Sequence, residues 1–363
     1  MSQKLVITGG AGFVGSNLAV LLGGRHPDWE IAAFDSLHRK GSQLNLPRLE
    51  AAGVEFIRGD VRDPDALASV GPFDVMVECS AEPTVLAGLD GDTSFVVHTN
   101  LTGAYNCLEA CRRAEAQMVF LSPSRVYPME PQLVLAYEER PTRLVLSDEQ
   151  DVPGASSRGI SEQFPLAGAR TLYGTTKLAA ELLIEEWRGS FGLRAVVNRC
   201  GVIAGPWQMG KVDQGVFTHW MLSHHFGQPL TYIGYGGTGK QVRDLLHVED
   251  LVELIERQID DAEGWNGFAG NVGGGLDCSL SLLETTELCR QLTGNEVAIE
   301  PVAEARQGDV PIYLSDCAQL FGRTDWRPQR GAEQILGDIA AWIAENETMI
   351  SETLGFELEA ATR

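Results

Sequence analysis

The chain contains no apolar run approaching the roughly 20 residues that a membrane-crossing helix requires. It also has little positive charge: 28 Lys and Arg stand against 50 Asp and Glu in 363 residues, a formal net charge of −22. So acidic a chain disfavours nucleic acid and anionic membranes as partners, since both are polyanions. The seven cysteines are odd in number and form no CxxC pair, which points away from a disulfide framework and toward a reducing compartment. Apolar Leu5-Val6-Ile7 follows almost at once, leaving no expected room for a signal peptide. The expectation is a cytoplasmic protein without internal repeats or low-complexity segments. Its 44% hydrophobic and 21% charged content is that of a soluble globular protein with one large domain or two intimate ones.

What is present is alternation. Strand-like runs at Lys4–Ile7, Glu30–Phe34, Val54–Ile57, Asp74–Val77, Gln117–Leu121 and Ala195–Asn198 are separated by amphipathic helical patterns. These lie near Phe13–Leu22, Pro64–Val70, Thr93–Arg113 and Ala167–Arg188. Such alternation predicts an α/β fold with a parallel sheet covered on both faces. After Cys200 the texture changes to Gly, Trp, His and Gln. A strand at Gln241–His247 and a helix at Val248–Ile259 then read as rejoining the first layer, and a further helix is expected at Leu280–Leu292. The expected division is a nucleotide-binding domain from 1–200 and 241–266, and a smaller substrate lobe from 201–240 and 267–363.

Residues 8–15 read TGGAGFVG between the first strand and the first helix. Gly9, Gly12 and Gly15 give a tight turn, close backbone approach to a pyrophosphate and close helix–strand packing. The N–H groups of Phe13 and Val14 would face the phosphates. Asp35, at the end of the second strand, suits a ribose diol and repels a 2′-phosphate, so NAD is expected over NADP; Arg39 and Lys40 weaken that preference slightly. The fold class is therefore a Rossmann-type doubly wound sheet with a smaller C-terminal lobe. A second glycine run, GYGGTGKQ from Gly234, mimics a triphosphate loop. It lacks the magnesium-holding Ser or Thr and precedes a strand instead of a helix, so it is rejected.

Tyr173-Gly-Thr-Thr-Lys177 places two side chains on one helical face. A nearby ammonium and a positive nicotinamide ring favour phenolate, making Tyr173 a candidate base. His219, His224 and His225 cluster without Cys or carboxylate among them, so no metal is expected. Cys200 reads as a buried small residue. Trp207 and Gln208 either line a sugar pocket or simply pack their loop.

In order along the chain, TGGAGFVG, Asp35, the acid of GDV (Asp60), Asn100 in HTNLTGAYN, YGTTK and GKQVRDLLHVED resemble the extended short-chain dehydrogenases/reductases. Within that family the likeness is to nucleotide-sugar epimerases and dehydratases, and it covers nearly the whole chain. FDSLHRKG, GPWQMGKVDQGVF, GKQVRDLLHVEDL and NVGGGLDCSLSLLE narrow it toward epimerases acting at C2 of a CDP-sugar. The resemblance implies that Asp60 and Val61 join the glycines and Asp35 in holding NAD, that Lys177 also bonds the nicotinamide ribose, and that Asn100 orders the active-site helix. It implies diphosphate contacts from Arg243 and Arg306, with Arg199 a weaker candidate, and a ribose contact from Asp309. It implies a homodimer or higher homo-oligomer. The implied reaction is an internal redox cycle: Tyr173 takes a hydroxyl proton as hydride leaves the sugar, the ketosugar turns, and hydride returns to its opposite face.

One departure stands out. Where relatives carry a Ser or Thr hydroxyl, FLSPSRVYP has Pro123, which keeps an extended backbone but donates nothing. Either Ser122 or Ser124 substitutes, or Tyr173 works alone, or activity is much reduced. Relatives that dehydrate their substrate follow that hydroxyl with an Asp-Glu pair; here Ser124-Arg125 stand there, leaving no carboxylates for water loss.

Overall fold

A computed structural model describes residues 3–89, 91–210 and 214–356, so part of the GPWQMGKVDQGVF stretch lies outside the described residues. Two compact units emerge. The first takes the described residues up to Tyr127, then Arg170–Cys200 and Val248–Val272; the second takes Pro128–Ala169, Gly201–His247 and the described residues from Gly273.

The first unit is built on β1 (Lys4–Thr8), β2 (Glu30–Asp35), β3 (Glu55–Arg58), β4 (Val75–Glu78), β5 (Gln117–Pro123), β6 (Ala195–Cys200) and β7 (Ala269–Val272). Its strand order is 3-2-1-4-5-6-7 and every pairing is parallel. The order reverses beside β1, so the loops after β1 and β4 diverge there, which is where such sheets bind ligands. The central strands are apolar because helices cover both faces. Met76, Met118 and Phe120 pack with Ala104, Leu108, Cys111, Ala180 and Ile184 in one core. Four helices matter for the site: α1 (Phe13–Arg25), α2 (Gly103–Ala114), α3 (Leu172–Phe191) and α4 (Val248–Asp260). Thr171 caps α3 by accepting the Gly174 N–H at 3.2 Å, and Gly192, at φ 69°, ends it in the left-handed region.

The strand expected to rejoin this sheet does not do so. Val242–His247 instead lies in a four-stranded sheet of the second unit, between Val202–Ala204 and Ser279–Ser281, with Ile312–Tyr313 also paired to it. The seventh strand of the large sheet is Ala269–Val272, in a glycine-rich stretch expected to carry only irregular strands of the smaller lobe; β6 supplies its register, Val197 opposite Ala269 through Cys200 opposite Val272. Segment 128–169, which the sequence reading kept with the first domain, forms two short hairpins in the second unit. That unit has its own core of Phe217, Trp220, Met221, Leu245, Ile335 and Trp342. The rejected glycine run ends in a strand, and its Lys240 pairs with Glu139 at 2.6 Å. Among the described residues, no helix is long and apolar enough to cross a membrane.

Within the second unit Asp244 is fully buried, its Oδ2 accepting the N–H groups of Gly275 at 3.2 Å and Ser315 at 3.3 Å. Burial pushes its carboxyl up to about 6. The folded state therefore keeps a proton that the unfolded chain, titrating near ~3.9, has already released. Stability from this group is present below about pH 4 and lost as pH rises through about 6. At ~1.4 kcal/mol per pH unit the loss is on the order of 3 kcal/mol by neutral pH. Asp244→Asn should remove that slope. Urea unfolding near pH 4.5 and 7.5 is expected to show the variant gaining on the parent at the higher pH.

Candidate active site

The glycine turn has the shape its spacing predicts. Gly9 sits at φ 63°, and a Cβ there would lie 2.9 Å from the Cys79 carbonyl; a Cβ at Gly15 would lie 2.3 Å from the Gly9 oxygen. Gly10, which the glycine spacing does not single out, is equally confined: a Cβ there would lie 2.6 Å from the Ala33 Cα. Gly12 caps α1 without a side-chain hydrogen bond, and the first turn carries no acid. The leading N–H groups, Phe13 and Val14 among them, are thus left for an external anion, and the helix dipole favours one.

Asp35 closes the turn from β2, accepting the Leu37 N–H at 2.7 Å and the Ala11 N–H at 3.1 Å. Burial raises its carboxyl, these donors oppose that, and Asp60 adds to the rise. Asp60 therefore lies within electrostatic reach of Asp35. Arg62 grips it, with Nη2 at 2.6 Å, and that hydrogen bond holds its carboxyl below the usual range. Val61 is buried, and its carbonyl accepts from Asn106 at 2.9 Å. A cradle that a Cβ would fill, an acid-free helix start and an acid at the end of β2 fit a dinucleotide.

Asn100 sits in one turn of π-helix, His98–Thr102, just ahead of α2. Its amide accepts the Glu82 N–H at 2.8 Å and donates to the Glu82 carbonyl at 3.1 Å and to Thr176 Oγ1 at 3.2 Å. The wide turn lets one buried side chain join the loop after β4 to α3, in keeping with the use of π-bulges at functional positions.

Helix α3 presents Tyr173, Lys177 and Glu181 at successive i, i+4 steps. Lys177 is buried, with Nζ 3.0 Å from Glu78 Oε2 at the end of β4 and 3.9 Å from the centre of the Phe120 ring. From the i, i+4 spacing, the Lys177 charge is expected to lower the Tyr173 pKa. In the chain itself the balance runs the other way. Burial pushes the half-buried phenol up, Cys200, Glu78 and Glu82 add to this, and the opposing cation is Arg125. Lys177 is held against Glu78, whose negative charge acts on the phenol in the opposite sense.

The hydroxyl question is narrowed by β5. Ser122 is buried and donates to the Glu181 carboxylate, so it faces α3 and is already engaged. Pro123 lies opposite Cys200 and ends the strand. Residues Ser124–Val126 then form a 3-10 turn in which strand alternation no longer holds, leaving Ser124 as the candidate hydroxyl. This turn lies against α3: a Cβ at Gly174 would stand 1.9 Å from the Arg125 carbonyl oxygen. Gly174, next to Tyr173, is what permits that approach.

Arg199 is not an open guanidinium. It is buried, donates from Nη2 at 2.7 Å and Nε at 3.1 Å to Glu181 Oε2, and reaches the Tyr127 hydroxyl at 3.4 Å. Tyr127 in turn donates to Asn271 at 2.8 Å. This network ties β6 to α3 and β7, and it accounts for Arg199 without a diphosphate. Of these groups the sequence reading missed Glu78, Glu181, Tyr127 and Asn271. Helical spacing from Tyr173 would have found Glu181, whereas nothing local marks Glu78.

In the second unit, Arg243 and Asp309 meet at 2.5 Å, and Arg243 also donates to the Val310 carbonyl at 2.6 Å. Arg306 opens the turn that delivers Asp309, its carbonyl accepting the Asp309 N–H at 3.2 Å. Three of the expected substrate residues thus converge. Gln208 does not join them: it is buried, with its amide used by Thr218 at 2.6 Å and the Ile203 carbonyl at 3.1 Å, so it braces its own loop. Trp207 is held at φ 71°, its ring 5.8 Å from that of Trp342. His224 Nδ1 lies 2.8 Å from the Trp220 carbonyl, and His225 pairs with Glu347 at 3.0 Å.

A model of the NAD dependent epimerase/dehydratase family matches residues 5–273. The chain is 29% identical to a CDP-paratose 2-epimerase of Salmonella typhi, over 94% of this chain and 99% of that protein. It is 27% identical to a dTDP-glucose 4,6-dehydratase of Mycobacterium tuberculosis, over 95% of each. Among solved structures, DesIV, a dTDP-glucose 4,6-dehydratase from Streptomyces venezuelae with NAD and TYD bound, is similar with a TM-score of 0.75 at 26% identity, over 95% of this chain and 98% of that one.

Proposed function

The chain belongs to the NAD dependent epimerase/dehydratase family, and on that premise we propose that it epimerises a nucleotide-diphosphate sugar through a transient ketosugar, with C2 of a CDP-sugar as the sharpest version. The observation that carries this reading is the turn after β5. Beside the helix of Tyr173 and Lys177 it offers Ser124 and Arg125, with no carboxylate to drive water loss. The likeness to a CDP-paratose 2-epimerase over almost the full chain supports the nucleotide and the carbon.

The residues that would hold NAD are Gly9, Gly12, Gly15, Phe13 and Val14 at the phosphates, Asp35 at the ribose, and Asp60 with Val61 beyond it. Bound there, NAD supplies a positively charged acceptor and later donor of hydride. Tyr173 takes the sugar hydroxyl proton and gives it back once the ring has turned. Ser124 offers a hydrogen bond to the same oxygen, Asn100 fixes α3 through Thr176, and Arg125 supplies the positive field that favours phenolate. Arg243, Asp309 and Arg306 are proposed at the nucleotide. Pro123 favours a second reading, a protein that binds NAD and nucleotide sugar but has lost most of its chemistry.

Incubation with CDP-, UDP-, GDP- and dTDP-sugars, followed by NMR of products and assay of released NADH, separates these. A new epimer without net NADH is expected. Net NADH would indicate a dehydrogenase, and saturable binding without conversion the impaired binder. Pro123→Thr should raise turnover by about tenfold, part of the ~10²–10⁴ that a well-placed proton-transfer partner contributes. An unchanged rate would show that this position does not limit proton transfer.

A further inference from the structure

We infer that Glu78 is a positioning residue of this site: from the end of β4 it fixes the Lys177 ammonium and offsets its charge at Tyr173. This deepens the proposed epimerase reading and rests on it.

Glu78 occupies the middle of the large sheet, in register with Thr8 of β1 on one side and Phe120 of β5 on the other. The next residue, Cys79, is the one whose backbone confines Gly9. Glu78 thus sits where the glycine turn, the end of β5 and α3 converge. Both members of its pair with Lys177 are about 2% exposed, and the separation is 3.0 Å. A buried pair of this kind adds little net stability against an apolar replacement, because desolvation of two ions offsets their attraction. An ion pair retained within the catalytic helix's own contacts therefore calls for an electrostatic explanation.

Among the described residues, Glu78 acts on Lys177 and Tyr173 of α3, the Cys107 thiol of α2 and the adjacent Cys79. Tyr173 itself also meets the Cys200 thiol of β6, Glu82 in the loop after β4 and Arg125 in the turn after β5. Burial pushes the Glu78 carboxyl up, while Lys177 and the Ser80 N–H hold it down. Lys177 alone would draw the phenol toward phenolate. With Glu78 opposite, that pull is cancelled, and Tyr173 keeps its proton until other positive charge arrives.

The test titrates Tyr173 by ultraviolet phenolate difference against Tyr173→Phe in each background, on the full chain with NAD added. Glu78→Gln keeps the shape and loses the charge. It should move the Tyr173 transition down by about one pH unit, an approximately tenfold gain in phenolate at fixed pH. Glu78→Asp changes the shape and keeps the charge, and should leave the transition near the parent's. A packing role alone would reverse that ranking. Should Glu78→Gln not fold, the double variant Glu78→Met with Lys177→Met leaves no charge unpaired. Its transition should match the parent's, whereas an uncancelled lysine predicts a rise of about a unit or more. An unmoved transition in Glu78→Gln, or a raised one in the double variant, overturns the assignment. The titration needs no sugar, so a chain that turns over none would refute the proposed reaction and leave this result standing.

Discussion

Tyr173→Phe is expected to lower turnover of the nucleotide sugar by about 10³-fold or more, within the ~10²–10⁴ range of proton-transfer catalysis and toward its upper end. NAD binding should be retained. The substitution removes one oxygen from a half-buried ring and leaves the Lys177–Glu78 and Glu181–Arg199 pairs intact. The loss should therefore appear in kcat, with little change in thermal unfolding. Because burial raises the phenol above its ordinary range, the parent holds little phenolate at neutral pH. Its rate should climb by about tenfold per pH unit on the alkaline side until the phenol titrates, and this limb should vanish in Tyr173→Phe. A loss under about tenfold, with the limb preserved, would place the base elsewhere.

Arg199→Ala is expected to act on stability, with an unfolding free energy lower by about 3–5 kcal/mol in denaturant titration. Removing one member of a buried pair leaves the other charged and without its partner, which is far worse than replacing both. Glu181 would keep the Ser122 hydroxyl and the more distant charge of Arg170 but lose its guanidinium hydrogen bonds, and Tyr127 would lose a donor at 3.4 Å. Were Arg199 instead a diphosphate ligand, the variant would lose less than about 1 kcal/mol, as for an exposed charge, and its KM would rise.

The parts of this molecule that were legible in the sequence are those dictated by backbone geometry or local period. TGGAGFVG could be read because Gly9 and Gly15 have no room for a Cβ. β1, β2 and β4–β6 could be read because burial on both faces gives them mainly apolar runs; β3, the edge strand Glu55–Arg58, shows only a short apolar pair between charged ends. β7 could not: its residues lie in a glycine-rich stretch, and only pairing with β6 makes them a strand. Val242–His247 was recognisable as a strand, but which sheet it enters depends on partners more than 30 residues away in sequence, such as Ser279–Ser281. At the site, Tyr173 and Lys177 were visible as an i, i+4 pair. The partner of Lys177 was not, since Glu78 lies 99 residues upstream and looks like the polar end of an ordinary strand. The same holds for Arg199, which reads as a cleft arginine until Glu181 is found against it.

The most direct test of the account follows deuterium placed on the reacting carbon of whichever nucleotide sugar the chain converts, C2 in the CDP-sugar version. Removal and return of hydride within one bound complex predicts that the inverted product keeps the label at that carbon, with none acquired from solvent. Wash-out of the label into water, or uptake of solvent deuterium at that carbon, would mean inversion by proton removal and replacement and would contradict the redox account.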